Sequence, residues 1–463
     1  MEIKDLIIYH IFIDRFAGFD EEKDDSKPER IGGNLRGIIK KLPYLKKLGI
    51  NCIWLSPFYK SASYHGYDIT DFFKIDESVG DERDLENLLK KANKAGIYVI
   101  ADLVPNHCSE NHPFFIDART NPKSKYKSWF YFKHWPDDYL SFLHFKHLPK
   151  MNLENKETSK YMLDVASYWL SKGLKGFRID HAIGLPKEFL LELQKLAKAK
   201  DAFLLGEVWF FGIKLEHEET IKGVDLRKIF ESKHASMEDV AIKELNILDS
   251  FLDFTFNSLI KAYLKGEMCS KEFYEKLENH YKFLEKTLPT FLDNHDMNRL
   301  IFELNNDKKL FKIASVLQFI MSQPPIIYYG DEIGLSQALK IEELPEHGDV
   351  QARRRMEWEE QDTDLLMHYQ KLCDLRKKID AMKIGRMRAF YCDYSTRLLA
   401  ILKEARDRIL AIFNPDNTFV IFNLHLDELN AKYLVDLFED KRIDERHVRM
   451  NLEPKSFKLF LLK

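Results

Sequence analysis

The feature that most constrains this chain is a recurrence. Eight short apolar runs, each of a length suited to one buried strand, are separated by segments in which apolar residues return at helical spacing. The runs are LIIYHIF (6–12), NCIWLSP (51–57), YVIADLV (98–104), GFRID (176–180), AFLLGEVW (202–209), FLDFTF (251–256), PTFLDNHD (289–296) and PIIYYGDE (325–332). Near-continuous hydrophobicity is what a strand covered on both faces requires. Between the runs, 36–49, 84–96, 159–173, 187–199 and 308–322 read as helices, several stopped by Gly or followed by Pro. Eight alternations predict an α/β fold of the (β/α)8 TIM-barrel kind. An open doubly wound sheet is disfavoured because no Gly-rich phosphate loop follows the first run.

Two stretches break the alternation. Residues 105–157 carry many aromatics and no βα unit, which predicts an inserted subdomain after the third strand. From 385 to 463, alternating runs separated by turn residues predict a C-terminal antiparallel β-sandwich domain. The barrel is then expected from 1–104 and 158–384. A net charge of -3 gives no electrostatic reason to expect nucleic acid or an anionic membrane as partner. No apolar run reaches spanning length, and the first residues do not read as a secretory signal. Five scattered cysteines without a CxxC pair fit reduced thiols, so a cytoplasmic location is expected.

In a barrel of this kind the active site is assembled where the strands end. Asp102, Asp180, Glu207, Asp293 and Asp296 stand at such ends, far apart in sequence. Hydrolysis of a glycoside with retention needs one carboxylate as nucleophile and one protonated carboxyl as acid, about 5–5.5 Å apart. Asp180 and Glu207 close consecutive strands, whose spacing is about 4.8 Å. Crowding and burial would keep one of the two protonated near neutrality. Arg178, two residues before Asp180, shares its face of the strand and is placed to orient it. His107 and His295 flank the same rim as donors to sugar hydroxyls. Zinc chemistry is disfavoured because no HExxH spacing occurs.

Four short motifs together resemble those of the alpha-amylase family of glycoside hydrolases: DLVPNH (102–107), GFRIDHA (176–182), GEVW (206–209) and FLDNHD (291–296). The resemblance covers nearly the whole chain. It implies that Asp180 is the nucleophile, Glu207 the general acid/base and Asp296 the residue that distorts the bound sugar and stabilises the transition state. It also implies substrate-binding roles for Tyr67 and Asp68 in HGYD (65–68), for His107, Arg178, His295 and Trp209, and for Arg299 as a cap on the closed end. Trp129, Trp135 and Tyr139 are expected as walls of the sugar track, the other aromatics of the insertion forming its own core.

LPKMN (148–152) is similar to the MPKLN stretch of neopullulanase, cyclomaltodextrinase and maltogenic amylase-like members, without the N-terminal domain those relatives carry. This tilts the expected bond towards α-1,4 and the expected partner towards α-glucan oligosaccharides, with transglycosylation allowed by the covalent intermediate. The alternatives are an α-glucosidase or oligo-1,6-glucosidase, a sucrose phosphorylase-like or trehalose synthase-like transfer enzyme and, remotely, a non-catalytic carbohydrate-binding subunit. No cofactor is required by this chemistry. Calcium as a structural ion is left open, with Asn106 as the candidate ligand. The oligomeric state is not legible.

Overall fold

The computed structural model describes residues 2–232, 235–344, 346–359 and 361–463. Eight parallel strands form its centre: β1 (Ile8–Ile11), β2 (Cys52–Leu55), β3 (Tyr98–Leu103), β4 (Gly176–Ile179), β5 (Phe203–Gly206), β6 (Ser250–Phe251), β7 (Thr290–Phe291) and β8 (Pro325–Tyr328). Their lateral order is β6-β5-β4-β3-β2-β1-β8-β7, the sequential order of a barrel. The seam between the two shortest strands is bridged by Asp253 N–H donating to the Pro289 carbonyl (3.1 Å) and by the Asn257 amide donating to Leu292 O (2.6 Å).

Alternation along these strands does the positioning. The inward residues at the base of the barrel are apolar, among them Ile8, Cys52, Ile100, Leu205, Phe291 and Ile326. Two residues further on, the same inward face carries His10, Trp54, Asp102 and Glu207, while Arg178 leads to Asp180. A period of two thus turns an apolar plug into a polar mouth within one step of each strand.

The helices are fixed by their ends. Leu35–Leu48 is capped by the Asn34 side chain on Gly37 N (2.9 Å) and stopped by Gly49 in the left-handed region (φ 104°). Asp81 and Asp84 form a reciprocal capping box on Glu82–Lys94. Asn155 and Asp307 cap Lys156–Ser171 and Lys308–Ile320.

One expected strand is shorter than its run. In FLDFTF the strand stops at Phe251, because the Asp253 carboxylate accepts from Phe256 N (2.8 Å) and starts the helix Phe254–Lys265. PTFLDNHD likewise is strand only at Thr290–Phe291.

Residues 105–157 hold the helix Pro113–Thr120 and two small hairpins. Phe115, Phe130 and Tyr139 pack edge to face there, with centroids 4.8 and 4.9 Å apart. From Arg386 the chain forms a six-stranded antiparallel sheet faced by the pair Val420–His425 and His447–Leu452. Leu402, Leu410 and Ile412 of the larger sheet meet Leu424, Val448 and Leu452 of the smaller one. The opposite face, with Leu399, Ile401, Ile409 and Phe413, continues the core of the barrel.

Candidate active site

β4 and β5 run in register, Ile179 beside Gly206, so the next residue of each, Asp180 and Glu207, leaves the barrel at the same level. The backbone continues the ladder one step past the strands: Glu207 N donates to Ile179 O (3.0 Å) and Asp180 N to Leu103 O (3.0 Å). Arg178, 1% exposed, reaches upward between them. It donates through Nη1 to Asp180 Oδ1 (2.8 Å) and to Asp102 Oδ1 (3.3 Å), and through Nη2 to Glu207 Oε1. One guanidinium therefore spans the gap between Asp180 and Glu207. The amide of His181, whose backbone is left-handed (φ 46°), donates to the other Glu207 oxygen (3.0 Å).

Burial sets the protonation. It pushes both Asp180 and Glu207 up to about 7 against the pull of Arg178, and the neighbouring carboxylates add to the rise. Asp102, fully enclosed, is pushed up to about 6 by burial; Arg178 and the hydrogen bonds from Tyr67 and Trp54 oppose this. The mouth thus holds carboxyls that exchange protons near neutrality, the property acid/base work requires.

Tyr67 links the two halves of the site. Its hydroxyl donates to Asp102 Oδ2 (2.6 Å) and lies 2.6 Å from His295 Nε2, and its ring is stacked on that imidazole with centroids 5.3 Å apart. His295 Nε2 is also 3.1 Å from Asp296 Oδ2, which brings Asp296 to the same mouth. His107 stacks on Phe142 at 4.9 Å. Burial holds His107 at about 3 and His295 well below its usual range, so both act as neutral imidazoles.

Other expected residues are placed elsewhere. Asp68 has one oxygen engaged by the Ser63 hydroxyl (2.6 Å) and amide (3.1 Å), shaping the loop before Tyr67. Arg299 does not cap the site. It is fully buried and donates to the carbonyls of Tyr329 (3.1 Å) and Ala352 (3.2 Å), beside Asp331 and Asp293. Asp293 likewise leaves the mouth, because the amide of Leu300 takes its Oδ2 (2.6 Å). Trp129 and Tyr139 are buried in the insertion and Trp135 is tied to Ala118 O (2.9 Å), so these three belong to the insertion's own packing. Trp209 is half-buried on the rim, stacked on Phe254.

Asn106 does not fit the calcium expectation. Its Oδ1 accepts from Lys150 Nζ (2.5 Å), which also donates to Gly184 O (2.7 Å). Oxygens that would face an ion face a buried lysine of LPKMN instead.

A residue missed in sequence is Arg353. It donates to His295 O (2.8 Å), Asp296 Oδ1 (3.0 Å) and Tyr64 Oη (3.1 Å), and pairs with Asp349. It holds Asp296 as Arg178 holds Asp180. The only signal was a run of three arginines at 353–355, of which Arg354 and Arg355 go instead to Asp25.

Residues 10–363 match the alpha-amylase catalytic domain family. Alpha-amylase 2 of Dictyoglomus thermophilum is 37% identical over 432 residues, 90% of this chain and 71% of the relative. A cyclomaltodextrinase of a Bacillus species is 32% identical over 89% of this chain and 73% of the relative. Among solved structures, the alpha-amylase of Geobacillus thermoleovorans complexed with acarbose superposes with a TM-score of 0.81 at 26% identity, covering 100% of this chain and 99% of that one. A cyclomaltodextrinase structure gives a TM-score of 0.86 at 27% identity, covering 100% of this chain and 78% of that one. The motifs at the strand ends, the shared fold and the extent of these matches lead to one statement: the chain belongs to the alpha-amylase family.

Proposed function

We propose that this protein is a retaining glycoside hydrolase that cleaves α-1,4 bonds in maltooligosaccharides and related α-glucans. The observation that carries the reading is the single guanidinium of Arg178 bonded to both Asp180 and Glu207 across adjacent strands. Adjacent parallel strands lie about 4.8 Å apart, and two carboxyls leaving them at one level suit the close pair of a retaining enzyme. Asp180 attacks the anomeric carbon as the Glu207 carboxyl gives its proton to the glycosidic oxygen, and the leaving sugar departs. A water, deprotonated by Glu207, then attacks the anomeric carbon of the glycosyl–Asp180 intermediate, the Asp180 carboxylate leaves, and the sugar is returned with its α configuration. Asp296, held by Arg353, hydrogen-bonds ring hydroxyls most strongly as positive charge develops on the sugar. An acceptor sugar entering in place of water gives a longer product. The cyclomaltodextrinase and alpha-amylase relatives support the α-1,4 assignment.

No helix among the described residues is long and apolar enough to cross a membrane. A cytoplasmic site of action is part of the proposal. It is supported by the five free cysteines and by an intracellular maltogenic amylase of Bacillus subtilis that is 28% identical over 98% of this chain. In this reading the chemistry needs no cofactor.

The test is the first anomer released from maltotriose, followed by proton NMR before mutarotation. The α anomer is expected, together with products longer than the substrate; β anomer at early times overturns the reading.

A further inference from the structure

His10 and Trp54 are register partners on β1 and β2, and their rings lie face to face, with centroids 3.6 Å apart and planes 7° from parallel. Trp54 Nε1 donates to Asp102 Oδ1 (3.0 Å) on β3. Asp102 Oδ2 accepts from the Tyr67 hydroxyl (2.6 Å), and the Tyr67 ring is stacked on His295. His295 then meets His10 edge to face, with centroids 5.0 Å apart at 78°. Five side chains, from β1, β2, β3 and the loops after β2 and β7, thus form a closed circuit at the mouth. The Arg178 guanidinium lies over the Trp54 ring at 5.5 Å, so the circuit also supports the cation that spans Asp180 and Glu207.

Tyr67, Asp102 and His295 are explained by the site itself, whereas His10 is not. It is fully buried, and neither of its ring nitrogens meets a protein partner among the described residues. Burial, and then the charges of His295, Arg178, Arg299 and Arg353, hold it well below its usual range, so the ring is neutral. Tyr328, its register partner on β8, flanks it at 5.1 Å. A buried polar atom without a partner costs stability, and a residue that only filled this space would be better apolar. What the imidazole supplies is its face. Phenyl on indole avoids direct overlap, because both faces carry negative charge, and slides to an offset or edge-on contact. A neutral imidazole has a strong in-plane dipole that can oppose that of the indole and keep the close parallel stack. The stack fixes the plane of Trp54 and with it the direction of its one N–H.

We infer that His10 is a positioning residue: by stacking on Trp54 and abutting His295 it locks the circuit and so aims Asp102 at Arg178 and Tyr67. The inference rests on the glycosidase reading above and adds to it a residue, outside the four motifs, that keeps the catalytic carboxyls in line. Fully buried, His10 does not reach the substrate and acts through Trp54.

The consequence is electrostatic. Burial raises Asp102 to about 6; of the groups facing it, Arg178 from β4, Tyr67 and Trp54 oppose the rise, and Glu207 adds to it. The Tyr59 hydroxyl takes only its backbone carbonyl (2.8 Å). Losing the Trp54 bond lets Asp102 rise further and stay protonated. Asp180 is raised by burial and, next among the causes that raise it, by the charge of Asp102. Without that charge the nucleophile ionises at lower pH.

The experiment measures kcat and KM on maltotriose from about pH 4 to pH 9 for wild type, His10→Phe, His10→Asn, Trp54→Phe and the double variant His10→Phe/Trp54→Phe. Both His10 variants are expected to lower kcat about tenfold with a lesser change in KM. They should also move the acid limb of the kcat/KM profile down by about half a pH unit. Trp54→Phe, which keeps a ring but has no N–H, should move the limb the same way by a similar amount. Because His10 acts through that N–H, the double variant should shift the limb no further than Trp54→Phe alone. Activity lost evenly across the range with the limb unmoved, shifts that add in the double variant, or His10 variants that match wild type each overturn the inference. So does failure of both His10 variants to fold, judged by far-UV circular dichroism, since it assigns the ring to packing. A wild-type protein that leaves maltotriose intact at every pH overturns the glycosidase reading and this inference with it.

Discussion

Two buried clusters of charge in this molecule use similar components and reach opposite results. At the barrel mouth one guanidinium, that of Arg178, is bonded to three carboxyl groups, with Asp296 as a fourth nearby. Under the helices on the far side of β6, the His280 imidazole sits between two, with Nδ1 2.8 Å from Asp239 Oδ1 and Nε2 3.0 Å from Asp253 Oδ1. The second cluster is rounded off by the Tyr281 hydroxyl donating to Asp253 (3.0 Å) and that of Thr255 donating to Asp239 (2.9 Å). Burial alone would lower His280, but the two aspartates outweigh it and raise it to about 10. At the mouth acceptors outnumber cations, so the surplus is met by protons held on carboxyls at about 6 to 7. The structural cluster meets its surplus of acceptors with the hydroxyls of Tyr281 and Thr255, whereas the mouth meets part of its larger surplus with protons that can come and go.

The contrast can be broken most forcefully at the mouth. Asp180→Asn and Glu207→Gln are each expected to lower kcat by about 10³-fold or more with the far-UV circular dichroism unchanged. Substantial turnover in either variant would mean that the proton surplus serves some other purpose. The next largest effect is at the other cluster. His280→Leu strands two buried carboxylates and should cost about 3–5 kcal/mol in urea unfolding. The loss should also depend on pH. Because the folded value of His280 is raised, its stabilisation is fully present below the unfolded value near 6.5 and is lost as pH rises through about 10. Wild-type stability should therefore drop across that window and the variant should not.

A smaller effect of opposite sign sharpens the comparison. Asp180 is also raised in the folded state, so its contribution is fully present below about 4 and is lost as pH rises through about 7. Asp180→Asn removes that loss. Relative to wild type it should gain on the order of 1–3 kcal/mol between pH 4 and pH 8 in denaturant titrations. The smallest effect concerns Arg353, the second guanidinium of the mouth. A lysine there cannot serve His295 O, Asp296 and Tyr64 at once. Arg353→Lys is expected to raise KM about fivefold with a lesser change in kcat.

The barrel was legible because its signal is periodic and local. Alternation fixes which face of each strand looks inward, so Asp102, Arg178 and Glu207 could be assigned to one mouth before any coordinates. Strand ends were less legible. Asp253 looks like one more polar position in an alternating run, and only its bond to Phe256 N shows that a helix has begun. Arg299 and Arg353 show the deeper limit. Arg299 lies eight residues after β7 and Arg353 twenty-five after β8, yet the first goes to backbone carbonyls and the second to Asp296. That difference is made by loops after β7 and β8 meeting in space, which no window of sequence contains. The aromatics of the insertion were misassigned for a similar reason: Trp129 and Tyr139 close the insertion's interior, and the rings left at its edge are Phe142 and Phe145.

The six-stranded sheet after Arg386 has a practical consequence for anyone shortening this protein. One of its faces is greasy towards its own small partner sheet and the other is greasy towards the barrel, where Lys403 also donates to Ile320 O (2.5 Å) at the end of a barrel helix. A cut near residue 385 would not release a tidy enzyme. It would strip the lid from the catalytic half's own interior, and the exposed fragment should seek the nearest oily surface, first of all another copy of itself.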